Sequence, residues 1–560
     1  MKALQIGLVV GLMATCCFSQ GVANDGGAEP SSSVALSQLS DSPLEEAHTL
    51  YSKGDFAAAI AKYQDFLKQH PNSPDAFAGM VRTYLKLKNV DQAAATAEQG
   101  IALTSSPRMR VARAEVWFRQ GRIAEAEKEW VDVINSGYPE ARAYLGLARV
   151  RNAHAMYKSA TAMLDKAHQL DSTDSDIQEQ WTATLPFSER VRYLESSLAG
   201  DNNWSAARRE RVSAYLKYLK ERANQKKSSP CRLVSKITST ETPMVRLLRD
   251  PQHLRGYGLD VVINGHKSSL LLDTGASGIL IKRPIAEHAG MSKIVETKVW
   301  GIGDKGSRNA YMGVADSIRV GELEFQNCPI EVMDSRSVVG EDGLIGADVF
   351  QNFLVDLDFP HEKLRLSELP KRPGKPEEKL ALDSGEHADE EESQPGAAST
   401  QNNSETKPAS LSGPQDRYIA PEMQSYTNVY RFGHDLLVPT TIGDVPAKLF
   451  LLDSGALMNS ISPAAAREVT KVHQNTEIIV KGVSGRVDNV YSASRAILRF
   501  GHLQQENQEM TAFDTKSLSD GVGTEVSGIL GFIALRLLDI KIDYRDALVD
   551  FRFDDERFGR

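Results

Sequence analysis

The chain has 560 residues, 41% of them hydrophobic and 25% charged, as expected for a soluble globular protein with on the order of three or four domains. Sixty-five Lys and Arg against 74 Asp and Glu give a formal net charge of −9, so the basic surface that nucleic acid requires is not indicated. Four Cys without a Cys-x-x-Cys pair exclude a disulfide scaffold and a thiolate zinc site. We therefore expect no nucleic-acid partner, no metal and no cofactor.

Residues 1–23 have the features of a secretory signal peptide. Lys2 supplies a positive start, Ile6–Phe18 is apolar, and Gly21–Ala23 offers small residues for cleavage. The apolar stretch is shorter than the about 20 residues that span a bilayer, so we expect no membrane span. The sequence predicts an exported protein, periplasmic or extracellular. Two alternatives stay open: an uncleaved anchor, and a lipid-anchored form, because Met13–Cys16 loosely matches a lipoprotein signal.

Cleavage after Ala23 would leave Cys231 and Cys328 as the two cysteines of the mature chain. An oxidising compartment would allow these thiols to form a disulfide. The alternative is a pair of ordinary buried thiols. Residues 24–43, which follow the signal, are predicted to be a flexible segment.

A repeat begins near residue 44. Apolar residues 34, 33 and 34 positions apart, and small residues at the same intervals, mark four units: Phe56, Val90, Ile123 and Tyr157, with Ala59, Ala93, Ala126 and Ala160. This period resembles the tetratricopeptide repeat, in which Ala lets antiparallel helices approach closely. The resemblance implies an all-α solenoid over residues 44–227 with a concave surface for a protein partner. The alternative is a spacer or a brace for the domains that follow.

Beyond residue 250 the pattern becomes alternating, as in strands, and it occurs twice. Leu270–Leu272 leads into Asp273, and Leu449–Leu452 leads into Asp453, each Asp beginning an Asp-Thr/Ser-Gly triplet. Glycines recur at matching distances after the two Asp residues, at Gly301 and Gly482, at Gly321 and Gly501, and at Gly346 and Gly531. The two stretches, each roughly 110 residues long, are therefore copies of one β-rich unit.

With these motifs, residues 250–368 and 428–555 resemble the two halves of a retropepsin-like aspartic peptidase. The resemblance implies two all-β half-barrels with Asp273 and Asp453 as the catalytic pair, and Thr274 and Ser454 bonded across a pseudo-twofold axis. The implied supporting loops contain Thr274, Gly275, Ala276 and Ser277 in one half and Ser454, Gly455 and Ala456 in the other. The implied flaps contain Trp300, Gly301 and Gly303 in the first half and Gly482 and Gly485 in the second.

The chemistry explains why two carboxyl groups are needed. Hydrolysis of a peptide bond without a metal requires one carboxylate to activate water and one carboxylic acid to protonate the carbonyl oxygen. Two carboxyls about 3 Å apart cannot both ionise, so the pair shares one proton and fills both roles. Such a pair titrates as a unit, and neither Asp is assigned a fixed role.

The residues after the Asp triplets predict two further properties. Ala276 and Ala456 stand where pepsin-like enzymes carry a hydroxyl that favours the ionised carboxyl, so we expect a less acidic pH optimum. In the second copy Leu457 replaces Ser277, which is expected to contact the substrate backbone. The second subsite is therefore predicted to be more apolar, or that half to be losing competence.

Residues 369–417 are rich in Pro, Gly, Ser and Glu and predict a disordered acidic linker. A coil of that length spans on the order of 40 Å, so we expect the two halves to pair within one chain, with a homodimer of crossed halves as the alternative. The leading hypothesis is an exported aspartic endopeptidase that cleaves protein or peptide substrates. Its rivals are a non-catalytic protein-binding scaffold and an enzyme that cuts its own linker.

Overall fold

The computed structural model describes residues 5–7, 43–200, 206–224, 231–333, 342–373 and 415–555. Most of the predicted signal peptide, the segment 24–42 and the linker residues 374–414 lie outside the described residues. The fold-class prediction is confirmed: a helical-repeat solenoid precedes two β-rich halves. No helix in the described part of the chain is long and apolar enough to cross a membrane.

The N-terminal domain consists of antiparallel helix pairs. Its helices are α1 (Pro43–Lys53), α2 (Phe56–Gln69), α3 (Pro74–Lys86), α4 (Val90–Thr104), α5 (Pro107–Arg119), α6 (Ile123–Asn135), α7 (Ala141–Ala153), α8 (Tyr157–Leu170), α9 (Ser175–Thr184), α10 (Phe187–Ala199) and α11 (Ala206–Asn224). The Ala residues of the 34-residue period are all buried at helix contacts, at 0–1% exposure. Ser73 and Ser106 cap α3 and α5 by accepting hydrogen bonds from backbone amides, and a Pro follows each cap.

The first β-rich half contains a large mixed sheet. Its strands and helix are β1 (Gln5–Gly7), β2 (Arg232–Leu233), β3 (Ser239–Pro243), β4 (Val245–Asp250), β5 (His253–Ile263), β6 (His266–Asp273), β7 (Ile279–Lys282), α12 (Arg283–His288), β8 (Lys293–Trp300), β9 (Arg308–Val320), β10 (Leu323–Met333), β11 (Gly343–Gly346), β12 (Phe353–Asp358) and β13 (Lys363–Glu368). Strands β1, β2 and β4–β11 form the large sheet, in which β11 lies between β6 and β7, parallel to the first and antiparallel to the second.

The second half repeats this arrangement. Its elements are β14 (Thr427–Asn428), β15 (Tyr430–Phe432), β16 (Asp435–Ile442), β17 (Lys448–Asp453), β18 (Ser460–Ile461), α13 (Pro463–Arg467), β19 (Val472–Gln474), β20 (Lys481–Gly482), β21 (Gly485–Arg486), β22 (Val490–Ala493), β23 (Ala496–Phe500), β24 (Leu503–Asn507), β25 (Met510–Phe513), α14 (Lys516–Val522), β26 (Gly528–Gly531), α15 (Phe532–Leu535), β27 (Leu538–Asp543) and β28 (Leu548–Phe553). Here β26 lies between β17 and β18 with the same directions. The duplication predicted from the sequence is therefore also a duplication of topology.

A third sheet joins the two halves of the one chain. Strands β12 and β27 pair antiparallel, and the order through the sheet is β14-β28-β27-β12-β13-β3. Because β3 and β14 belong to this sheet, the first half begins before residue 250 and the second before residue 428, earlier than the sequence indicated. These flanking strands lack the motifs of the duplicated unit, which explains why their membership was not predicted.

The helical domain packs on the second half. One hydrophobic cluster contains residues from both, including Phe118, Ile123 and Trp130 from α5 and α6 and Leu437, Leu449, Leu451 and Ile529 from β16, β17 and β26. The ring of Phe118 lies 6.3 Å from that of Phe432, and Thr524 donates a hydrogen bond to the Phe118 carbonyl at 2.5 Å. Arg119 and Asp520 form an ion pair across the same contact at 3.6 Å. The alternative of an intramolecular brace therefore has a physical basis.

The C-terminal end of the predicted linker is ordered by the helical domain. Asp416 accepts hydrogen bonds from the Ser159 backbone amide and hydroxyl, both at 2.8 Å, and the Gln415 carbonyl accepts one from the Tyr157 amide at 2.9 Å. These contacts satisfy the first amides of α8, whose own N-cap Met156 makes no side-chain hydrogen bond. The prediction of disorder through residue 417 was therefore wrong at this end, because composition does not register a cap supplied by a distant segment.

Candidate active site

The two Asp residues of the duplicated motif lie at the carboxyl ends of equivalent strands. Asp273 ends β6 beside Gly346 of β11, and Asp453 ends β17 beside Gly531 of β26. Both Asp residues are fully buried. The pairing of each strand with its parallel neighbour fixes the position of the Asp at the edge of the sheet. The two carboxyl groups therefore occupy equivalent positions in the two halves.

A reciprocal set of hydrogen bonds locks the two loops together. Thr274 donates from its hydroxyl to the Leu452 carbonyl at 2.8 Å, and Ser454 donates to the Leu272 carbonyl at 3.0 Å. In return, the Ser454 amide donates to the Thr274 hydroxyl at 2.9 Å and the Thr274 amide to the Ser454 hydroxyl at 3.1 Å. Four buried hydrogen bonds thus cross the pseudo-twofold axis at the positions that the sequence indicated.

The glycines of the two triplets show how closely the carboxyl groups approach the opposite loop. A Cβ added at Gly275 would lie 2.8 Å from Cγ of Asp453, and one at Gly455 would overlap the carboxyl group of Asp273. Each carboxyl therefore packs on the backbone of the other half's loop. Side chains at these two positions are excluded because they would occupy the space of the carboxyl groups.

Backbone amides of the same loops also orient the carboxyl groups. The Gly275 amide donates to Oδ1 of Asp273 at 3.0 Å, and the Ala456 amide donates to Oδ1 of Asp453 at 2.8 Å. Arg255, a buried residue of β5, donates from Nη2 to the Gly455 carbonyl at 3.1 Å. The guanidinium group thus links the first half to the Asp453 loop of the second half. Sequence reasoning missed it because an Arg inside an apolar strand belongs to no motif.

The supports behind the two loops differ. In the first half, Asp348 accepts hydrogen bonds from the Ser277 hydroxyl at 2.9 Å and from the Gly278 amide. The Ser277 hydroxyl thus has a partner within the protein and keeps its acceptor capacity, so its contact with substrate stays a prediction. In the second half, Asn459 accepts from the Gly531 amide at 2.8 Å. The equivalent residue of the second copy is Ile533. This difference between the copies is the sequence signal that could have identified Asp348 as a residue with a special role.

The predicted flaps meet above the catalytic loops. The first is the β8–β9 hairpin and the second the β20–β21 hairpin. The Gly301 amide donates to the Ser484 hydroxyl at 3.0 Å, and the Ser484 amide donates to the Ile302 carbonyl at 3.1 Å. The Asp488 amide donates to Asp304 at 2.7 Å. Ser484 is fully buried, so the two flap tips are closed on each other.

The glycines predicted in the flaps allow this contact. Gly303 has φ of +127°, and a Cβ there would lie 2.5 Å from the Ser484 carbonyl carbon. Gly485 has φ of +100°, and a Cβ at Gly482 would overlap the Ile302 carbonyl oxygen. Trp300 ends β8 just before the tip and is half-buried.

Each flap tip packs into the opposite half. Ile302 of the first flap joins the cluster that contains Ala456, three residues after Asp453. Val483 of the second flap joins the cluster that contains Ala276, three residues after Asp273. The two Asp loops are therefore covered in a crossed arrangement, each by the flap of the opposite half.

Other features placed by the sequence lie outside this centre. Cys231 and Cys328 are joined by a disulfide, which ties the start of the first half to β10. Asp543 accepts a hydrogen bond from the Asp546 amide at 3.0 Å and closes a turn. Burial and the neighbouring Asp546 raise the pKa of Asp543 to about 6. Within the described residues, no group of three or more His, Cys, Asp or Glu side chains is placed to hold a metal ion.

The helical domain has a separate cavity of about 500 Å³ on its inner face. Tyr51, Arg82, Arg108 and Arg142 contribute to its lining. Arg142 bonds to Asp174 at 2.6 Å and Asp176 at 2.9 Å, so the charges around this cavity are largely compensated by ion pairs.

Two interlocked half-barrels with paired Asp-Thr/Ser-Gly loops define a retropepsin-like aspartic protease fold, here preceded by tetratricopeptide repeats. The comparisons agree: the aspartyl protease family model matches residues 259–349 and 438–532, and a tetratricopeptide repeat model matches residues 50–110. The recognition of both families from the sequence is confirmed.

Several known proteins are similar to parts of this chain. The UBA domain-containing protein Mud1 of Schizosaccharomyces pombe is 26% identical over 110 residues, which are 19% of this chain and 32% of that protein. DNA damage-inducible protein 1 of Chaetomium globosum is 30% identical over 108 residues, 19% of this chain and 23% of that protein. The chain thus spans less than a third of the length of the curated relatives it matches.

Solved structures resemble each region separately. The aspartic proteinase from Irpex lacteus aligns with 57% of this chain and 99% of its own, at 12% identity and a TM-score of 0.31. A thermophilic tetratricopeptide-repeat protein of Thermus thermophilus aligns with 32% of this chain and 97% of its own, at 21% identity and a TM-score of 0.26.

Proposed function

We propose that this protein is an aspartic endopeptidase whose Asp273 and Asp453 activate water for attack on a peptide bond. The observation that carries the proposal is the interlocked pair of loops, in which each carboxyl group packs on the opposite triplet. A pair held in this way shares one proton, so one group accepts a proton from water while the other donates to the carbonyl oxygen. The rigid loops hold both groups in place before substrate arrives.

The flaps supply the second requirement of such a reaction, which is the exclusion of bulk water. Their tips cover the catalytic loops, and Ile302 and Val483 provide apolar contacts on the two sides of the centre. A bound peptide would replace the contacts that the tips make with each other. This arrangement favours an extended peptide segment as the substrate.

We further propose that the helical repeats serve a protein partner or substrate through their inner face. The cavity of about 500 Å³ is lined by residues of α1, α3, α5 and α7 and offers a surface for such a partner. The packing on the second half uses other residues, which belong to α5 and α6. Export of the protein is also a proposal. The disulfide between Cys231 and Cys328 supports it, because such bonds persist in oxidising compartments. Fractionation of cells that express a tagged full-length chain would test it.

Cleavage by the full-length protein tests the enzymatic proposal. We expect the protein to cut an unfolded protein substrate, and Asp273→Asn or Asp453→Asn to lower the rate by about 10²–10⁴-fold or more. Asp316→Asn is a matched control, because Asp316 is an exposed residue of β9 away from the centre, and it should leave the rate unchanged. Inhibition by a statine peptide such as pepstatin would give independent support. An active Asp453→Asn protein would rule out the paired site, and an inactive wild type would favour a protein-binding scaffold.

A further inference from the structure

One buried acid of the first half has no role in the mechanism above. Glu331 lies on β10, opposite Met312 of β9 and Leu280 of β7. Its neighbours along the strand, Ile330 and Val332, point into the main core, so the Glu331 side chain points to the other face of the sheet. That side chain is 2% exposed.

The face to which Glu331 points is the one that adjoins the catalytic centre. Met333, two residues along β10, and Leu280 belong to a hydrophobic cluster that also contains Ala276 and Val483. Ala276 follows the catalytic Asp273 by three residues, and Val483 is the tip of the second flap. The Glu331 side chain therefore lies on the same face of the sheet as the cluster that contains Ala276 and the tip of the second flap.

Within the described part of the chain, the Glu331 carboxyl group makes no hydrogen bond. The Thr297 hydroxyl is close enough to interact with this carboxyl group, but the two do not reach hydrogen-bond geometry, and the hydroxyl bonds to no other described residue. Burial raises the pKa of Glu331 to about 8, and the nearby Thr297 hydroxyl opposes that shift only in part. A buried acid that has neither a hydrogen bond nor an ion pair among the described residues lowers the stability of the fold, and such a position is suited to receive a cation.

The second half lacks this acid. Leu280 lies seven residues after Asp273, and the equivalent residue of the second half is Ser460, which pairs with Thr511 of β25. Thr511 is therefore the counterpart of Glu331. At this position of the equivalent strand pair, the first half therefore has an ionisable group and the second half has a hydroxyl group.

We propose that the Glu331 carboxyl group forms the end of a subsite that selects a Lys or Arg side chain of the peptide substrate, and that the carboxyl group ionises when this cation binds. The inference rests on the proposed function. When the flaps open, Val483 leaves the cluster and a substrate side chain takes its place. The aliphatic stem of Lys or Arg fits the apolar walls, and its cation supplies the partner that the buried carboxyl lacks. Selection is confined to one side of the scissile bond, because the second half offers Thr511.

The test uses the full-length protein and fluorogenic peptides in which each position around the scissile bond carries Lys, Arg, Gln or Leu. We expect kcat/KM to be about 10–100-fold higher for Lys or Arg than for Leu at one position on one side of the cleaved bond. Glu331→Gln should lower kcat/KM for the Lys and Arg peptides to the value for the Leu peptides, and Glu331→Leu should reverse the preference. Thr511→Val, the matched change in the second half, should keep the preference.

The outcomes separate this inference from the proposed function. An active wild type without a preference for cationic residues overturns the inference whether or not the variants fold. A Glu331→Gln enzyme with the wild-type preference overturns it as well. A wild type that cleaves none of the peptides, or any unfolded protein, overturns the proposed function and the inference with it.

Discussion

At the scale of single residues, glycines make possible the close approach of the two halves around Asp273 and Asp453. Gly275 and Gly455 leave space for the carboxyl group of the opposite half, and Gly303 leaves space for the backbone of the opposite flap. In each case the missing side chain belongs to one half and the group that fills the space to the other. The two halves can therefore pair only because these positions have no side chain.

Gly303 gives a prediction with a control in the same turn. Gly303→Ala places a Cβ 2.5 Å from the Ser484 carbonyl carbon, so the closed contact between the flaps has to open. We expect kcat/KM to fall by about 10–100-fold, since small misplacements around a reacting group have effects of this size. Gly306→Ala is the control: its φ is also positive, at +66°, but a Cβ there meets nothing within 4 Å. Equal kinetics of the two variants would mean that the flap contact has no part in turnover.

At the scale of elements, β17 connects the helical domain with the catalytic centre. Its residues Phe450 and Leu452 point into the main core, while Leu449 and Leu451 point into the cluster shared with α5 and α6. The same strand ends at Asp453. In the first half, the equivalent face of β6 at Leu271 is covered by the half's own strands and by the second flap. The helical repeats therefore cover a surface of the second half that the first half covers with β-structure.

This arrangement predicts that the repeats support the second catalytic loop. Phe118→Ala should lower the free energy of unfolding by about 3–5 kcal/mol and also reduce kcat/KM, because it removes contacts on both sides of the interface. Phe77→Ala is the matched control, since Phe77 is also buried but packs in a cluster made of residues of α2, α3, α4 and α5. It should lower stability and leave kcat/KM of the folded fraction unchanged. A Phe118→Ala protein with normal kinetics would show that the interface only joins two independent units.

For the whole molecule, the sequence predicted the features that depend on local patterns. It missed the features that depend on contacts between residues far apart in the chain. The 34-residue period and the two Asp triplets are local patterns. The first predicted the repeat helices, and the second predicted the strands that end at Asp273 and Asp453. The packing of Phe118 on Phe432 and the crossing of Ile302 and Val483 join residues far apart in the chain, and no local pattern records them. The structure adds Arg255, Asp348 and Ser484 to the site in this way.

The sheet shared by the two halves contains a pair of acids that should make stability depend on pH. Asp356 of β12 lies beside Asp539 of β27 at the junction of the halves. Burial, followed by the neighbouring Asp539, raises the pKa of Asp356 to about 7. Lys541 and Arg365, 3.8 and 3.6 Å away, oppose the shift. The protonated form is thus favoured in the folded state.

Because this pKa is raised on folding, the stabilising contribution of Asp356 is fully present below about pH 4 and is lost as pH rises to about 7. Asp356→Asn removes the dependence, since an amide stays neutral and can still donate to Asp539. We expect the variant to be more stable than wild type at pH 7.5 by about 1–2 kcal/mol after allowance for solvent screening, and this advantage to vanish near pH 4. Denaturant unfolding at both pH values measures the difference, with Asp316→Asn as the exposed control. A constant difference between pH 4 and 7.5 would mean that the junction of the halves does not titrate in this range.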